Sequence, residues 1–224
     1  MTTRLVVFDM AGTTVVDSGD VVLFFQRAFA KSGITVSNKD IQPVRGLQKS
    51  VAVRVILENL KIETGNALIE KIHEDFISGI TAYYRTSPGV MAAPGAGEIF
   101  LWLKQKKIRV TLNTGFPREV AGSIVERLQW IKQEWVDEYI SGDEVRAGRP
   151  SPAMIQKLMM NAGLTNAKEV VKIGDTPADV EEGRNAGCGM VIAVTTGASS
   201  RSILEKSAPD YIIDSLTELK TLIH

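Results

Sequence analysis

The sequence predicts a doubly wound α/β fold, in which helices cover both faces of a parallel sheet, with a small helical domain inserted after the first strand. Short runs that are apolar throughout, rather than alternating, are typical of parallel strands buried on both faces. Helical patterns alternate with these runs, as such a fold requires. The chain has 224 residues, of which 44% are hydrophobic. This is enough for one large domain, or for a core with a smaller insert.

Five strands and four core helices are predicted along the chain. The strands are the apolar runs RLVVFD (4–9), IRVTLNT (108–114), VVKIGD (170–175) and MVIAVTT (190–196), and a weaker run, DYIID (210–214). Helical patterns occupy residues 96–106, 118–131, 151–162 and 179–186. The first three strands are thus each followed by a segment that contains a helical pattern.

The segment that follows the first strand has a different character. It contains the helical patterns DVVLFFQRAFAKSG, KSVAVRVILENL and NALIEKIHEDFISGITAYYR, and no convincing buried strand. Pro and Gly then return in SPGVMAAPGAGE (87–98), as in a linker. We therefore predict a core formed by residues 1–15 and 89–224 and a helical domain formed by residues 16–88.

Composition excludes several classes of function. Lys plus Arg and Asp plus Glu each number 26, so the chain lacks the basic excess that a broad nucleic-acid surface needs. The single cysteine, Cys188, excludes an internal disulfide and fits the reducing cytoplasm. No apolar stretch approaches the length of a membrane span. With only two histidines, His73 and His224, a Ser-His-Asp triad or a histidine-based zinc site is not expected. We expect a cytoplasmic protein that binds neither nucleic acid nor membranes, and we leave open whether it is a monomer or a homodimer.

Polar residues end three of the predicted strands, where sites form in parallel sheets. Asp9 ends the first strand. It is a candidate nucleophile or metal ligand, and the alternative is a carboxylate that simply caps a turn. Thr114 and Gly115 stand between a strand and a helix, where a hydroxyl and backbone N–H groups bind phosphate or merely cap the helix. Arg149, just before a helical pattern, either neutralises a phosphoryl group or lies on the surface.

The most specific local signal is GDTPADVEEGRNAG (174–187). Asp175 ends a strand, and Asp179, four residues later, faces the same side if a helical turn begins between them. Two carboxylates close together are hard oxygen ligands that suit Mg²⁺. The segment therefore indicates a magnesium site at the edge where Asp9 also lies.

In their order along the chain, these motifs resemble those of the haloacid dehalogenase superfamily of Asp-dependent hydrolases. FDMAGTT, LNTG, AGRPSP and GDTPADVEEGRNAG resemble its four motifs, and the helical insert resembles its cap domain, which closes over a Rossmann-like core. The resemblance implies that Asp9 attacks phosphorus and forms an aspartyl-phosphate. It also implies that Mg²⁺ is held by Asp9, the backbone carbonyl of Ala11 and Asp175, with Asp179 close by.

The same resemblance implies a small phosphorylated or phosphonate metabolite as substrate. Thr114 and Arg149 would bind its phosphoryl oxygens and stabilise the transition state. Further substrate contacts are expected from Thr13 and Gly115, and from Arg45 and Gly46 in the insert.

Ala11 departs from the pattern of most phosphatases in this superfamily, which place a second Asp two residues after the nucleophile as general acid and base. Three explanations are open. The protein is an inactive module that binds a phospho-ligand, or it acts only on substrates with good leaving groups, or another residue moves the proton.

One branch of the superfamily matches the third explanation. Phosphonoacetaldehyde hydrolases, or phosphonatases, have DWAGTT where this chain has DMAGTT, and a lysine in a GLLK turn that forms a Schiff base with the substrate aldehyde. The chain has GLQK at residues 46–49, so Lys49 is the candidate, unless it is an exposed lysine at a helix start. The chain departs from phosphonatases at Ala52, where they have histidine, at Arg45, where they have methionine, and at Phe116, where they have tyrosine.

Cleavage of the C–P bond of phosphonoacetaldehyde or a related phosphonate is therefore the first functional hypothesis, through a Schiff base on Lys49. The alternatives are a phosphate monoester phosphatase that resembles phosphoglycolate phosphatase, and an inactive protein that binds a phospho-ligand. Binding alone does not need the nucleophile Asp9, which argues against the inactive protein.

Overall fold

Six parallel strands form the sheet at the centre of the computed structural model, which describes residues 2–63 and 65–223. The predicted domain ranges also include Met1, Thr64 and His224, which lie outside the described residues. The strand order is β3-β2-β1-β4-β5-β6. The strands are β1 (Leu5–Asp9), β2 (Arg109–Thr114), β3 (Glu138–Ser141), β4 (Val170–Gly174), β5 (Met190–Val194) and β6 (Tyr211–Ile213). The predicted parallel α/β fold is confirmed, and the first strand lies in the middle of the sheet.

Burial of both faces explains why β1 is apolar throughout. Val6 and Phe8 point into one hydrophobic cluster, whereas Leu5 and Val7 point into a second cluster on the opposite face. All five residues of β1, including Asp9 at its carboxyl end, are buried. The apolar run therefore fixes the strand at the centre of the sheet and carries Asp9 to its edge.

Six helices belong to the segments that follow the insert. They are α5 (Ala96–Gln105), α6 (Arg118–Arg127), α7 (Ala153–Asn161), α8 (Pro177–Asn185), α9 (Arg201–Lys206) and α10 (Leu219–Leu222). Helix α6 ends four residues before the predicted bound of 118–131, and Gln129 just beyond it has a left-handed φ of 58°. Short 3-10 turns occupy Gln42–Val44, Gly142–Glu144, Ala167–Glu169 and Leu216–Glu218.

Four helices form the insert: α1 (Asp20–Ala30), α2 (Asn38–Ile41), α3 (Lys49–Asn59) and α4 (Asn66–Thr86). No strand occurs in the described part of residues 16–88, as predicted. Phe25 of α1 stacks on Phe76 of α4 with ring centroids 4.3 Å apart, and Tyr84 of α4 meets Phe116 of the core edge-on at 5.8 Å. The apolar cluster on one face of the sheet thus continues into the insert. Of the helices in the described ranges, none is both long enough and apolar enough to cross a bilayer.

Candidate active site

A cavity lies where the carboxyl ends of β1, β2 and β4 meet the first turn of α3. It is lined by nine of the predicted site residues, together with Val21, Phe116 and Thr176; the nine are Asp9, Ala11, Arg45, Gly46, Lys49, Thr114, Gly115, Arg149 and Asp175. The structure therefore brings together predicted site residues from five separate parts of the sequence.

Three buried carboxylates, those of Asp9, Asp175 and Asp179, form a cluster at this edge. One oxygen from each lies within 4.8 Å of the others. Burial raises the pKa of Asp175 to about 7, with the help of the two neighbouring carboxylates, and burial also raises the pKa of Asp9. Among the described residues, no cationic side chain forms an ion pair with Asp175. A cluster of this kind could hold a metal ion, which would supply the missing positive charge.

Two hydrogen bonds hold the Asp175 carboxylate in place. Thr13 donates its hydroxyl to Oδ1 at 2.9 Å, and the backbone N–H of Ala198 donates to Oδ2 at 2.6 Å. Thr13, predicted to bind substrate, does not line the cavity and lies behind Asp175. Its contact in the structure is with a candidate metal ligand.

Asp179 has a different environment, because it belongs to the first turn of α8. Its Oδ2 accepts hydrogen bonds from the Thr176 hydroxyl at 2.5 Å and the Thr176 backbone N–H at 3.2 Å, in a capping box. Its Oδ1 lies 3.1 Å from Arg149 Nη1 and 2.9 Å from Lys172 Nζ. Burial favours the protonated carboxyl, but the two cations outweigh it and lower the pKa of Asp179.

Arg149 is a buried cation beside Asp9, not the surface arginine that the sequence left open. Its Nη1 donates to Asp9 Oδ1 at 2.6 Å, its Nε to Glu182 Oε2 at 2.9 Å, and its Nη2 to Asn113 Oδ1 at 2.6 Å. Burial alone would lower the pKa of Arg149, but the surrounding carboxylates raise it. A permanently charged guanidinium is therefore fixed next to the candidate nucleophile, where it can bind phosphoryl oxygens.

The buried residues that hold Arg149 in place were not predicted from the sequence. Lys172 Nζ donates to Asn113 Oδ1 at 2.7 Å and lies 3.3 Å from Glu182 Oε2, and the Asn113 side-chain amide donates to both oxygens of Glu182 at 2.8 Å. All three side chains are buried. The available signal was a polar residue inside an apolar strand, because Asn113 and Lys172 interrupt the runs of β2 and β4.

Lys49, at the start of α3, points into the cavity and is 5% exposed. Its Nζ donates to the Leu47 carbonyl at 3.2 Å and lies 4.8 Å from the centre of the Phe116 ring. Burial lowers the pKa of Lys49 to about 8; the positive charges of Arg45 and Arg149 act in the same direction, and Asp9 opposes them. The alternative of an exposed lysine is therefore wrong, and the amine has the environment that a nucleophilic lysine requires.

The loop that carries Lys49 is packed tightly against the core. The backbone N–H of Lys49 donates to the Gly115 carbonyl at 3.2 Å, and Arg149 Nη1 donates to the Gly46 carbonyl at 3.4 Å. A Cβ atom on Gly115 would lie 2.8 Å from the Gly46 carbonyl oxygen. Gly46 itself has a φ of +85°, which favours glycine. Thr114, adjacent in the cavity wall, accepts the Phe116 N–H on its hydroxyl oxygen at 3.2 Å.

Arg45 has a partner that the sequence analysis did not identify. Its Nη2 forms an ion pair with Oδ2 of Asp17, whose side chain is completely buried. The Asp17 Oδ1 atom accepts the backbone N–H groups of Gly19 and Val21 at 3.0 and 3.4 Å, next to the start of α1. The only signal in the sequence was an acid that directly follows a buried apolar segment.

Comparison with known proteins agrees with the fold and identifies the family. A family model described as haloacid dehalogenase-like hydrolase matches residues 3–187. The phosphonoacetaldehyde hydrolase of Bacillus cereus strain B4264 is 30% identical over 92% of this chain and 81% of its own length. That of Bacillus cytotoxicus is 29% identical over 97% and 85%, respectively.

Solved structures show the same fold. A phosphonoacetaldehyde hydrolase-like protein from Oleispira antarctica has a TM-score of 0.87 at 22% identity, covering 99% of this chain and 91% of the other. A predicted phosphoglycolate phosphatase from Haemophilus somnus has a TM-score of 0.82 at 19% identity, covering 98% and 97%.

The fold, the site and these matches define an enzyme of the hydrolase class. The chain belongs to the haloacid dehalogenase-like hydrolases. The predicted resemblance to phosphonoacetaldehyde hydrolases is confirmed.

Proposed function

We propose that this protein is a Mg²⁺-dependent hydrolase that cleaves the C–P bond of phosphonoacetaldehyde or a related phosphonate through a Schiff base on Lys49. The observation that carries the proposal is the buried amine of Lys49, with a pKa of about 8, in the same cavity as Asp9 and Ala11. The name of the curated Bacillus relatives supports the choice of substrate. Because Ala11 supplies no general acid, the imine takes the place of leaving-group protonation.

The donor set at the sheet edge fits Mg²⁺, which prefers carboxylate and carbonyl oxygens. Asp9, Asp175 and the backbone carbonyl of Ala11 would hold the ion, with Asp179 adjacent. Burial among like charges raises the pKa of Asp175, and a divalent cation bound there would stabilise its ionised form. When bound, the ion would neutralise the carboxylates and polarise the phosphoryl group.

The side chains of this protein then have distinct roles. The neutral Lys49 amine adds to the carbonyl carbon, and the carbonyl oxygen leaves as water, which forms the imine. Asp9 forms a P–O bond while the C–P bond breaks, and the electron pair of that bond moves into the imine to give an enamine. Thr114 and Arg149 bind the phosphoryl oxygens as charge develops on them.

Two further steps complete the reaction and return the enzyme to its starting state. The enamine carbon takes up a proton, and water hydrolyses the C=N bond to release the aldehyde and the Lys49 amine. A second water hydrolyses the aspartyl-phosphate of Asp9. Since one water was released when the imine formed, the net reaction consumes one water and yields acetaldehyde and phosphate from phosphonoacetaldehyde.

The helical insert acts, in this proposal, as a cap that closes over the core. Lys49 and Arg45 come from the insert, whereas Asp9, Thr114 and Arg149 come from the core, and all line one cavity. The hydrogen bonds from Lys49 to Gly115 and from Arg149 to Gly46 support this role, because they join the two parts at the cavity. Closure would exclude bulk water from the imine and the aspartyl-phosphate.

Borohydride trapping tests the proposed function. Incubation with Mg²⁺, phosphonoacetaldehyde and borohydride should add the reduced substrate or product fragment to Lys49, as peptide mass spectrometry would show. Lys49→Arg should lose both the adduct and C–P cleavage, because a guanidinium cannot form the imine. The exposed Lys39 provides the matched control, and Lys39→Arg should retain both.

A second outcome would favour the phosphatase alternative. If phosphate monoesters are hydrolysed while no phosphonate reacts and no adduct forms on Lys49, the Schiff-base proposal is wrong. Binding of ligands without turnover of either class would favour the inactive protein.

A further inference from the structure

We propose that Arg45 binds a carboxylate on the carbonyl carbon of the substrate, so that the preferred substrate is a 2-oxo acid with a phosphonate on the neighbouring carbon. The inference rests on the proposed function, because it places the substrate between Asp9 and Lys49. It goes further by naming the group that distinguishes this substrate from a simple phosphonoaldehyde.

The Arg45 guanidinium lines the cavity and has bonding capacity to spare. The residue is only 9% exposed. A guanidinium carries five N–H donors. Among the described residues, the one side-chain partner of Arg45 is Asp17, which takes a single bond from Nη2. No Arg45 atom is among the buried side-chain atoms that lack a partner in the described residues, so its remaining N–H groups are open to the cavity, where a ligand can bring oxygen atoms to them.

Asp17 holds Arg45 in place and leaves its other edge free. One oxygen of Asp17 is taken by the backbone N–H groups of Gly19 and Val21, and the other is taken by Arg45. Arg149 shows that this site accommodates a guanidinium between several acids, because it bonds to both Asp9 and Glu182. A second carboxylate on Arg45 would repeat that arrangement.

The position of Arg45 indicates which part of the substrate it would meet. The phosphoryl group belongs beside Asp9, where Arg149 and Thr114 already provide donors. Arg45 lies in the loop that ends at Lys49, and its charge lowers the pKa of the Lys49 amine. A substituent on the carbon that bonds to Lys49 would therefore lie in the cavity that Arg45 also lines.

A carboxylate is the substituent that suits this arginine. The oxygen of an aldehyde or ketone leaves as water when the imine forms, so it cannot remain bound to Arg45. A carboxylate persists through the reaction and matches the planar fork of a guanidinium. The chemistry balances as before: a 3-phosphono-2-oxo acid and one water give the 2-oxo acid without its phosphonate, and inorganic phosphate.

A binding experiment that needs no turnover tests the carboxylate site directly. The probes are 3-phosphonopropionate and propylphosphonate, which differ only by the carboxylate and cannot form an imine. With Mg²⁺ present, calorimetry should show that the wild-type enzyme binds the carboxylate probe about 100-fold more tightly, as expected for a charge-assisted bond. Arg45→Met should remove this preference, and Arg45→Lys should retain only part of it.

Two further variants keep the experiment decisive. Arg54→Met removes a charge from an exposed position of α3 and should leave the preference unchanged. If Arg45→Met does not fold because Asp17 is left unpaired, the double variant Asp17→Asn/Arg45→Met removes both partners and should show the same loss. Equal binding of the two probes by the wild-type enzyme, or an unchanged preference in the Arg45 variants, would overturn the inference.

Turnover separates this inference from the proposed function. The ratio of kcat/KM for 3-phosphonopyruvate to kcat/KM for phosphonoacetaldehyde should favour the carboxylated substrate in the wild-type enzyme and fall about 100-fold in Arg45→Met. The ratio cancels any change in the reactivity of Lys49, which both substrates use. A carboxylate preference in binding with no turnover of either phosphonate would refute the proposed function and retain the anion site.

Discussion

The buried amine of Lys49 predicts how imine formation depends on pH. Only the neutral amine adds to a carbonyl, so the rate of imine formation follows the neutral fraction of Lys49. The pKa of Lys49 is lowered from 10.5 to about 8, first by burial and then by the positive charges of Arg45 and Arg149. Because the lowered pKa favours the neutral form, the rate should increase as the pH rises toward about 8 and remain constant above it.

The size of the effect follows from the two pKa values. At pH 7 a lysine of ordinary pKa is neutral in about 0.03% of molecules, whereas one with a pKa of about 8 is neutral in about 10%. The environment of Lys49 thus increases the reactive fraction about 300-fold. Below pH 8, the rate should change about tenfold for each pH unit.

Cyanoborohydride trapping with phosphonoacetaldehyde measures this profile, with the initial rate of adduct formation at Lys49 read by peptide mass spectrometry between pH 5.5 and about 10. The adduct on Lys39, measured in the same samples, is the reference profile of an exposed amine with the same reagents. A midpoint near 10 for Lys49, or a flat profile, would refute the argument from burial. The same result would remove the main physical support for Lys49 as the imine-forming residue.

Three further changes test other parts of the site. Asp9→Asn should abolish turnover of every phosphonate and phosphate ester, and near-normal rates would rule out Asp9 as the nucleophile. Gly115→Ala should lower kcat/KM at least about tenfold, because its Cβ would lie 2.8 Å from a carbonyl oxygen of the insert. Gly122→Ala is the control, since its Cβ would meet a single tyrosine hydroxyl at 3.4 Å. Equal effects of the two variants would contradict the tight packing of the Lys49 loop on the core. Glu182→Leu should lower the free energy of unfolding by about 3–5 kcal/mol, because it removes one carboxylate partner from each of two buried cations, Arg149 and Lys172. Urea unfolding measures this loss, and a loss no larger than that of the exposed Glu181→Leu would refute it.

The strands of the sheet could be predicted from the sequence where they are buried on both faces. The strands β1, β2, β4 and β5 are predominantly apolar runs without alternation, and their bounds agree with the predictions to within two residues. The edge strand β3 was not predicted, because Glu138 and Tyr139 are partly exposed and the strand has only four residues. Half-buried edge strands lack the continuous pattern on which the other predictions depend.

The site was predictable where a polar residue ends an apolar strand. Asp9, Thr114 and Asp175 occupy such positions, and all three line the cavity. The supporting residues could not be paired from sequence alone, because their contacts join distant segments: Arg149 bonds to Asp9 across 140 positions, and Asp17 bonds to Arg45 across 28. The role of a buried acid such as Asp17 can be assigned only when the fold shows which residue it pairs with.

Ala11 offers the sharpest test of why this enzyme lacks a second carboxylate. Ala11, Asp9 and Lys49 line one buried cavity, so a carboxylate at position 11 would act on the lysine through a medium of low polarity. Nearby negative charge favours the protonated amine, as Asp9 already does, so Ala11→Asp should raise the pKa of Lys49. The midpoint of the trapping profile should therefore move upward by at least about one pH unit, and phosphonate turnover at pH 7 should fall at least about tenfold.

The same substitution would supply the general acid that ester hydrolysis needs, so turnover of alkyl phosphates should increase. Ala11→Asn is the matched control, because it adds the same bulk without the charge and should leave the trapping midpoint unchanged. An unchanged midpoint in Ala11→Asp, or an equal shift in Ala11→Asn, would show that the two side chains are not coupled by charge. If the shift occurs, a carboxylate at position 11 and a neutral Lys49 are electrostatically opposed, and the missing acid is a condition for imine chemistry rather than a loss of function.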